Sequence, residues 1–281
     1  MNKSKLTALC HKVSKNTGLP FNAVMLYYFL ESILKKLAKS KHHEKFIFKG
    51  GFLLSNVVGI ESRSTVDIDF LLKNLQLSED NIIKVLEEAL SEEPSDTITF
   101  EIKSISKIKD NDQYGGFRVS ILCKMENIRQ IVPLDITTGD IITPEEINYK
   151  YKSSFDDNEI IIKAYPIETM LAEKIQTIYE RGFLNSRSKD YYDLYILYKL
   201  KNTEIDYKVL LDACIRTFSY RETEFDIDKI IDLMESLKSD DSFLKRWKAY
   251  SKKNIHAKDL DFDEVLENGI KILENIKIKT V

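Results

Sequence analysis

The sequence predicts an α/β protein of the α+β kind, in which a small mixed sheet flanked by helices is followed by an all-α region. Two observations support this prediction. Short runs rich in β-branched and aromatic residues recur through residues 46–163, whereas the segments beyond Pro166 space their apolar residues as helices do. This change of pattern places a boundary near residue 165, with predicted domains at 1–165 and 166–281.

The composition is that of a globular protein. Of the 281 residues, 43% are hydrophobic and 31% are charged, while Gly and Pro number only 9 and 5, which argues against collagen-like and low-complexity chains. The formal net charge of -3 gives no overall basic field, so any contact with nucleic acid must come from a local patch. Three separated cysteines without a C-x-x-C pair, and the lack of a long apolar run, predict a cytoplasmic protein without membrane contact.

The elements of the first region follow from periodicity and from residues that start or stop helices. Residues 5–14 have helical spacing that stops before Gly18, and Pro20 opens a stronger helix that ends among lysines. A further long helix is predicted at 79–93. The alternation around Tyr114-Gly115-Gly116 indicates an antiparallel hairpin. Strands are predicted at 46–49, 64–72, 97–108, 114–125, 128–138 and 159–163.

The second region contains only helical patterns. Its apolar residues recur at intervals of three and four, as on one face of an α-helix. Because no strand pattern interrupts them, we expect this region to form its own helical core. Helices are predicted at 167–181, 188–201, 207–219, 227–238, 241–252 and 262–276.

Two aspartates interrupt the apolar strand predicted at 64–72. Asp67 and Asp69 are two residues apart, so in a strand both would point to the same face. Like charges held side by side are unfavourable unless a cation, water or hydrogen-bond donors compensate them. Magnesium accepts carboxylate oxygens and keeps substrate phosphates among its other ligands, so the pair indicates a magnesium site. The competing interpretation is a solvated strand end, since the chain holds four other D-x-D copies.

Lys49-Gly50-Gly51 lies between the strand at 46–49 and a short helix. Glycines at such a junction let backbone N–H groups approach an anion, and the helix N-terminus adds favourable dipole charge. A phosphate could therefore bind here, although an ordinary Gly-Gly turn also fits. A Walker-type loop is excluded because Lys49 precedes the glycines instead of following them.

The order of strand, Gly-Gly, helix, Arg63-Ser64-Thr65 and Asp67-Ile68-Asp69 resembles the nucleotidyltransferase superfamily that includes polymerase β. More closely, it is similar to the AbiEii/AbiGii toxins of abortive-infection, type IV toxin–antitoxin systems. One departure from the superfamily is that Gly50-Gly51 replaces the usual Gly-Ser, so a serine hydroxyl is lost and Lys49, Ser64 or Thr65 is the expected substitute. The resemblance implies a nucleotidyltransferase-like first domain whose nucleotide lies near Lys49, Gly50, Gly51, Arg63, Ser64 and Thr65.

A third carboxylate is expected on a later strand, because the resemblance implies a two-metal site. Asp135 in the stretch IVPLDITTGD is the candidate, and Asp140 is the fallback. The residues around Asp135 are β-like, although Pro133 fits only an edge strand or a bulge. The competing interpretation is that Asp135 is a polar residue at the start of the turn at 137–140.

The helical region contains a second set of charged residues. Lys174 falls within the apolar stripe of its helix, where it either snorkels at the edge or binds a triphosphate as a point charge. Arg187, Asp190 and Asp193 share one face of the next helix, for which a surface ion-pair ladder of little energetic weight is the alternative. Similarity to later motifs of the toxin family is found at 172–174 and 187–193.

Residues 245–254, KRWKAYSKKN, mix basic and aromatic side chains. Such a segment could bind RNA by phosphate contact and base stacking. The favoured interpretation is an exposed helix whose Trp247 and Tyr250 are turned inward.

The resemblance implies a metal-dependent nucleotidyltransferase that moves NMP from an NTP to an acceptor hydroxyl, expected on tRNA or another RNA. Growth arrest would follow, and a separately encoded antitoxin would be the partner. Two alternatives stay open: a metal-dependent phosphodiesterase or nuclease, and a non-catalytic nucleotide-binding regulator. The implied roles are Mg²⁺ or Mn²⁺ binding by Asp67, Asp69 and Asp135, phosphate binding by Lys49, the glycine amides and Lys174, and positioning or deprotonation of the acceptor by Asp190.

Overall fold

The computed structural model describes residues 1–94, 96–108 and 115–280. It divides into two compact units: the first holds residues 1–140 and 147–164, and the second holds 141–146 and the chain from Tyr165 onward. Segment 141–146 groups with the helical unit, where the Thr143 N–H donates to Thr169 Oγ1 at 2.9 Å and that hydroxyl donates back to the Thr143 carbonyl at 3.0 Å. The domain boundary inferred from sequence at 165 lies beside this division and stays a prediction.

The first unit has the mixed α/β architecture expected from the sequence. Its short third helix directly follows the first strand, as the Gly-Gly junction indicates. The helices are α1 (Lys3–Thr17), α2 (Phe21–Lys39), α3 (Gly50–Val58) and α4 (Glu79–Ala89). The strands are β1 (Phe46–Lys49), β2 (Ile68–Leu72), β3 (Thr99–Ile108), β4 (Gly116–Met125), β5 (Ile128–Thr137), β6 (Ile147–Lys152) and β7 (Glu159–Ala164).

Within the described residues, seven strands form one mixed sheet in the order β3-β4-β5-β2-β1-β7-β6. The pairs β2–β5 and β1–β7 are parallel, and the other neighbours are antiparallel. The antiparallel β3–β4 pair confirms the predicted hairpin. Tyr114, the first residue of its predicted turn, and the D-x-D copy at 110–112 lie outside the described residues.

Three details of the sheet differ from the sequence-based predictions. Strand β2 begins at Ile68, so Asp67 precedes the strand instead of lying in it. Strand β6 was missed, because its mostly exposed residues INYKYK give little apolar alternation. Pro133 was expected at an edge or a bulge but lies in β5, between β4 and β2. It is tolerated there because the β2–β5 register starts one residue later, at Leu134.

One face of the central strands carries an aromatic core. Phe48 of β1 and Phe70 of β2 are cross-strand partners, and their ring centroids lie 5.6 Å apart. Phe52 of α3 packs on Phe48 at 5.6 Å and on Tyr151 of β6 at 5.7 Å. All four side chains are buried. Because side chains alternate along a strand, the residue after Phe48 and the residue before Phe70 point to the opposite face.

The second unit is helical, as predicted. Its core includes Tyr191, Phe243, Trp247 and Phe262, which pack with centroid distances of 5.2–6.4 Å. Among all described residues, no helix is both long and apolar enough to cross a membrane. The helices are α5 (Ile167–Arg181), α6 (Ser188–Lys201), α7 (Tyr207–Tyr220), α8 (Ile227–Leu237), α9 (Asp241–Lys253) and α10 (Phe262–Thr280).

Candidate active site

The strand register places a row of four charged residues across the sheet, called the charged row below. Asp69 of β2 is the partner of Lys49 in β1 and of Asp135 in β5, and Asp135 is in turn the partner of Arg118 in β4. Partnered residues share a face, and neighbouring strands are about 4.8 Å apart. Two carboxylates therefore lie side by side, with one cation at each end of the row.

Gly50 makes this row possible, because its missing side chain leaves space for the Asp69 carboxylate. A Cβ atom at Gly50 would lie 2.0 Å from Asp69 Oδ2, and the residue has a φ of +72°, which favours glycine. A Cβ at Gly51 would lie 2.9 Å from Thr65 Oγ1. The first turn of α3 thus approaches the carboxylate and the threonine closely, and Lys49, which precedes the helix, provides no side-chain cap for the amides.

Asp67 is held just before β2 by a short network. Thr65 Oγ1 donates to Asp67 Oδ1 at 2.7 Å, and the Thr65 N–H donates to the hydroxyl of Tyr27 at 2.9 Å. That hydroxyl donates to the Arg63 carbonyl at 3.4 Å. Tyr27 is buried in α2, and burial raises the pKa of its hydroxyl. The network fixes the loop that carries Asp67.

The two candidate nucleotide-binding cations of the first unit, Lys49 and Arg63, have protein partners. Lys49 Nζ forms an ion pair with Asp140, and both side chains are about seven-eighths buried. Arg63 is also buried, and its guanidinium donates to the Ser64 carbonyl. Asp140, the fallback third carboxylate, therefore neutralises Lys49 in this arrangement. Ser64 itself is partly exposed.

Asp135 is paired with Arg118 in bidentate geometry. Nε and Nη2 of Arg118 donate to Oδ1 and Oδ2 of Asp135 at 2.7 and 2.6 Å. These hydrogen bonds raise the pKa of Arg118, and the charges of Asp135, Asp67 and Asp69 raise it further. All three carboxylates thus lie within electrostatic range of one guanidinium.

The donors at this site suit a hard divalent cation. Asp67 and Asp69 offer carboxylate oxygens, and magnesium usually takes only one or two carboxylates together with substrate phosphates. Across 1–94, 96–108 and 115–280, no three or more His, Cys, Asp or Glu side chains are arranged as a set of metal ligands. The proposed third ligand, Asp135, is instead engaged by Arg118.

The second predicted set of charges lies within the helical unit. Lys174 Nζ of α5 contacts Asp193 at 2.5 Å and Asp190 at 3.5 Å, and Arg187 Nε contacts Asp190 at 2.8 Å. Both aspartates are buried, with side chains 2% exposed or less. The surface-ladder interpretation is therefore wrong: these carboxylates are interior groups neutralised by Lys174 and Arg187.

The basic segment at 245–254 forms most of α9. Trp247 is buried, stacks on Phe262 at 5.2 Å and donates its indole N–H to the Leu260 carbonyl at 2.9 Å. Tyr250 packs against Tyr192 with a centroid distance of 6.3 Å. The aromatics are thus turned inward, as favoured from sequence. Lys245, Lys248 and Lys252 are exposed, and their spacing puts them on one face of the helix.

Sequence reasoning missed two residues of the site, Arg118 and Tyr27. The signal for Arg118 was the two-residue turn at Glu126-Asn127, where Glu126 has a φ of +49°. Once Met125 and Ile128 are paired across this turn, the antiparallel register places Arg118 opposite Asp135. The signal for Tyr27 is weaker, because a tyrosine in an apolar helix is most often a packing residue.

Comparison with known proteins gives a consistent result. The model of the family "Nucleotidyl transferase AbiEii toxin, Type IV TA system" matches residues 32–268. A structure of a putative nucleotidyltransferase from H. pylori is similar, with a TM-score of 0.57 and 16% identity over 93% of this chain and 97% of that chain. JHP933 from Helicobacter pylori aligns with a TM-score of 0.56 and 16% identity over 93% and 94% of the two chains. A search of curated proteins gave no match.

Proposed function

The chain belongs to the AbiEii family of nucleotidyltransferase toxins from type IV toxin–antitoxin systems, and we propose that it transfers NMP from an NTP to a hydroxyl of an RNA acceptor. The 3′ end of tRNA is the first acceptor to test. Growth arrest during phage infection is the proposed consequence, with a separately encoded antitoxin as the antidote.

The observation that carries the proposal is the placement of Asp69. It lies beside Asp135 on one sheet face and against Gly50 at the start of α3. Carboxylates of the kind that suits a divalent cation thus lie next to helix amides of the kind that suits a phosphate, which supports the proposal. The positive φ of Gly50 would favour glycine in any turn, but the close approach of Asp69 is specific to this site, because a Cβ at Gly18, which has a similar φ, would meet no atom within 4 Å.

We assign the divalent cation, Mg²⁺ or Mn²⁺, to Asp67 and Asp69, with Asp135 as a third ligand. When bound, such an ion neutralises charge on the phosphates and polarises the phosphoryl oxygens. The Thr65 hydroxyl orients Asp67 by its hydrogen bond. The amides at Gly50 and Gly51 and the Lys49 ammonium bind and orient the triphosphate, as the motif resemblance implies.

The chemistry requires positioning and charge stabilisation more than a nucleophilic side chain. The acceptor oxygen forms a new bond to the α-phosphorus as the bond between the α-phosphorus and the bridging oxygen breaks, and pyrophosphate leaves. The hydroxyl proton passes to a base, and we propose Asp190 for this role. We likewise propose that Lys174 binds phosphate.

The helical unit offers one feature that supports an RNA acceptor. Lys245, Lys248 and Lys252 form an exposed basic stripe on α9, although the whole chain carries a net charge of -3. A local stripe of lysines can bind phosphates along an RNA backbone through charge, independently of sequence. Stacking by Trp247 and Tyr250 is not part of the proposal, because Trp247 is buried and Tyr250 packs against Tyr192.

The test is transfer of α-labelled nucleotide to RNA. The purified protein is incubated with each of the four labelled NTPs and Mg²⁺ or Mn²⁺, with and without tRNA, and the RNA is separated by length. We expect label on RNA that is longer by added nucleotides. Asp69→Asn should abolish the transfer, whereas Asp263→Asn, in an exposed D-x-D copy at the start of α10, should leave it unchanged.

The other outcomes separate the alternatives. Shortened RNA without incorporated label would identify a phosphodiesterase or nuclease. Nucleotide binding without label transfer or RNA cleavage would identify a regulator, especially if Asp67→Ala and Asp69→Ala abolish that binding while toxicity in cells persists. Either result contradicts the proposed transferase.

A further inference from the structure

Arg118 is the least buried cation of the charged row. It extends from β4 across to β5, and its side chain is 51% exposed, whereas the Asp135 side chain that it binds is 13% exposed. At the other end of the row, Lys49 is 12% exposed and paired with Asp140. One end of the row is therefore closed by a mostly buried ion pair, and the other by a guanidinium that solvent reaches.

Arg118 interacts electrostatically with three carboxylates. Each Asp135 oxygen accepts one hydrogen bond from it, and the charges of Asp67 and Asp69 add to the effect that raises its pKa. Without such a cation, the adjacent carboxylates of Asp69 and Asp135 would repel each other. Arg118 thus provides, in the described structure, part of the charge that a divalent cation would bring.

We propose that Arg118 is an exchangeable counter-ion, which binds Asp135 in the metal-free protein and binds nucleotide phosphates once a divalent cation engages Asp135. The inference rests on the function proposed above and extends it to a residue outside the family motifs identified in the sequence. It explains why Asp135, although adjacent to Asp69, belongs to no three-carboxylate ligand set among the described residues.

Two physical properties support the exchange. A guanidinium matches the geometry of carboxylate and phosphate equally, because both accept two parallel N–H bonds. The Arg118 side chain is already half exposed, so it can reach a phosphate without any opening of the core.

The exchange also has a consequence for metal affinity. A positive charge next to a divalent cation weakens binding of that cation, so removal of the Arg118 charge should strengthen cation binding by roughly tenfold at a high effective dielectric constant.

The experiment measures two affinities for three variants of the full-length chain. Arg118→Gln removes the charge, Arg118→Lys keeps the charge but cannot form two parallel bonds, and Arg129→Gln is the control. Arg129 lies on β5 and, within the part of the chain that the structure describes, its guanidinium donates to two backbone carbonyls, at 2.6 and 2.8 Å. Mn²⁺ binding without nucleotide is measured by electron paramagnetic resonance, and binding of inorganic tripolyphosphate with Mg²⁺ by calorimetry.

We expect the two affinities of Arg118→Gln to shift in opposite directions. Mn²⁺ should bind roughly tenfold more tightly because the competing charge is gone, and tripolyphosphate should bind severalfold more weakly because a phosphate ligand is gone. Arg118→Lys should bind Mn²⁺ as the wild type does and tripolyphosphate more weakly, while Arg129→Gln changes neither. General damage to the fold would weaken both affinities together.

Other outcomes overturn the inference. Unchanged or weaker Mn²⁺ binding by Arg118→Gln would make Arg118 a fixed structural partner of Asp135. Unchanged tripolyphosphate binding by Arg118→Gln would show that Arg118 does not bind phosphate. If Arg118→Gln does not fold, tripolyphosphate binding by Arg118→Lys decides whether Arg118 binds phosphate. These results leave the proposed function standing when the wild type binds both probes. A wild type that binds neither probe would contradict the proposed function, and this inference with it.

Discussion

Replacement of Gly50 by alanine tests whether the start of α3 and the Asp69 carboxylate form one tightly fitted site. The residue has a φ of +72°, and the new Cβ would lie 2.0 Å from Asp69 Oδ2. Contacts under 3.0 Å are essentially never made by Cβ atoms, so Asp69 or α3 must move by about 1 Å. A displacement of about 1 Å at a reacting centre can cost roughly a hundredfold in rate.

The chain contains a matched control for the backbone part of this effect. Gly18 has a φ of +74°, but a Cβ there would meet no atom within 4 Å. Gly18→Ala therefore measures the cost of the left-handed backbone alone, about 1 kcal/mol in the free energy of unfolding. Gly50→Ala carries this cost and, in addition, about 1–3 kcal/mol for steric overlap.

Both variants are measured by urea unfolding and by the rate of labelled nucleotide transfer. We expect Gly50→Ala to be less stable than Gly18→Ala and to lose roughly a hundredfold in transfer rate, while Gly18→Ala transfers nucleotide as the wild type does. Equal stabilities and equal rates for the two variants would refute the argument that Gly50 is required by its contact with Asp69.

Three further predictions concern other parts of the account. Tyr27→Phe removes a buried hydroxyl and leaves the Thr65 N–H without that acceptor, so urea unfolding should show a loss of about 1–2 kcal/mol. Lys174→Met leaves Asp190 and Asp193 without their lysine partner, so the free energy of unfolding should fall by about 3 kcal/mol or more. The double variant Lys174→Met/Asp193→Asn should regain part of this stability, because one of the two buried charges is removed. Lys248→Glu should weaken tRNA binding and reduce its dependence on salt in filter-binding titrations; an unchanged salt dependence would exclude α9 as an RNA contact.

Most of the candidate site residues, although not Arg118 or Tyr27, were proposed from the sequence, but the pairing of Asp69 with Asp135 could not be predicted. The D-x-D spacing identified Asp67 and Asp69, and the change of pattern near residue 165 separated the mixed region from the helical one. Which residue of β5 lies beside Asp69 depends on a parallel register between strands more than 60 residues apart, which no local signal encodes. That register, and not residue type, makes Asp135 the neighbour of Asp69.

Burial was the other property that local patterns did not reveal. Arg187, Asp190 and Asp193 recur every three residues as an exposed ladder would, yet α6 buries every residue from Asp190 to Leu197. Neighbouring helices enclose α6, so its polar positions had to be neutralised by Lys174 instead of by water. Strand β6 was missed for the opposite reason, because it lies at the sheet edge and its exposed residues carry little apolar pattern.

The most direct test of the central claim is incorporation of α-labelled nucleotide into tRNA by the wild type, Asp69→Asn and Asp263→Asn. If the charged row is the catalytic site, the wild type and Asp263→Asn label the RNA equally, and Asp69→Asn loses the labelling while its unfolding curve shows a folded protein. Labelling by folded Asp69→Asn at the wild-type rate would contradict the account.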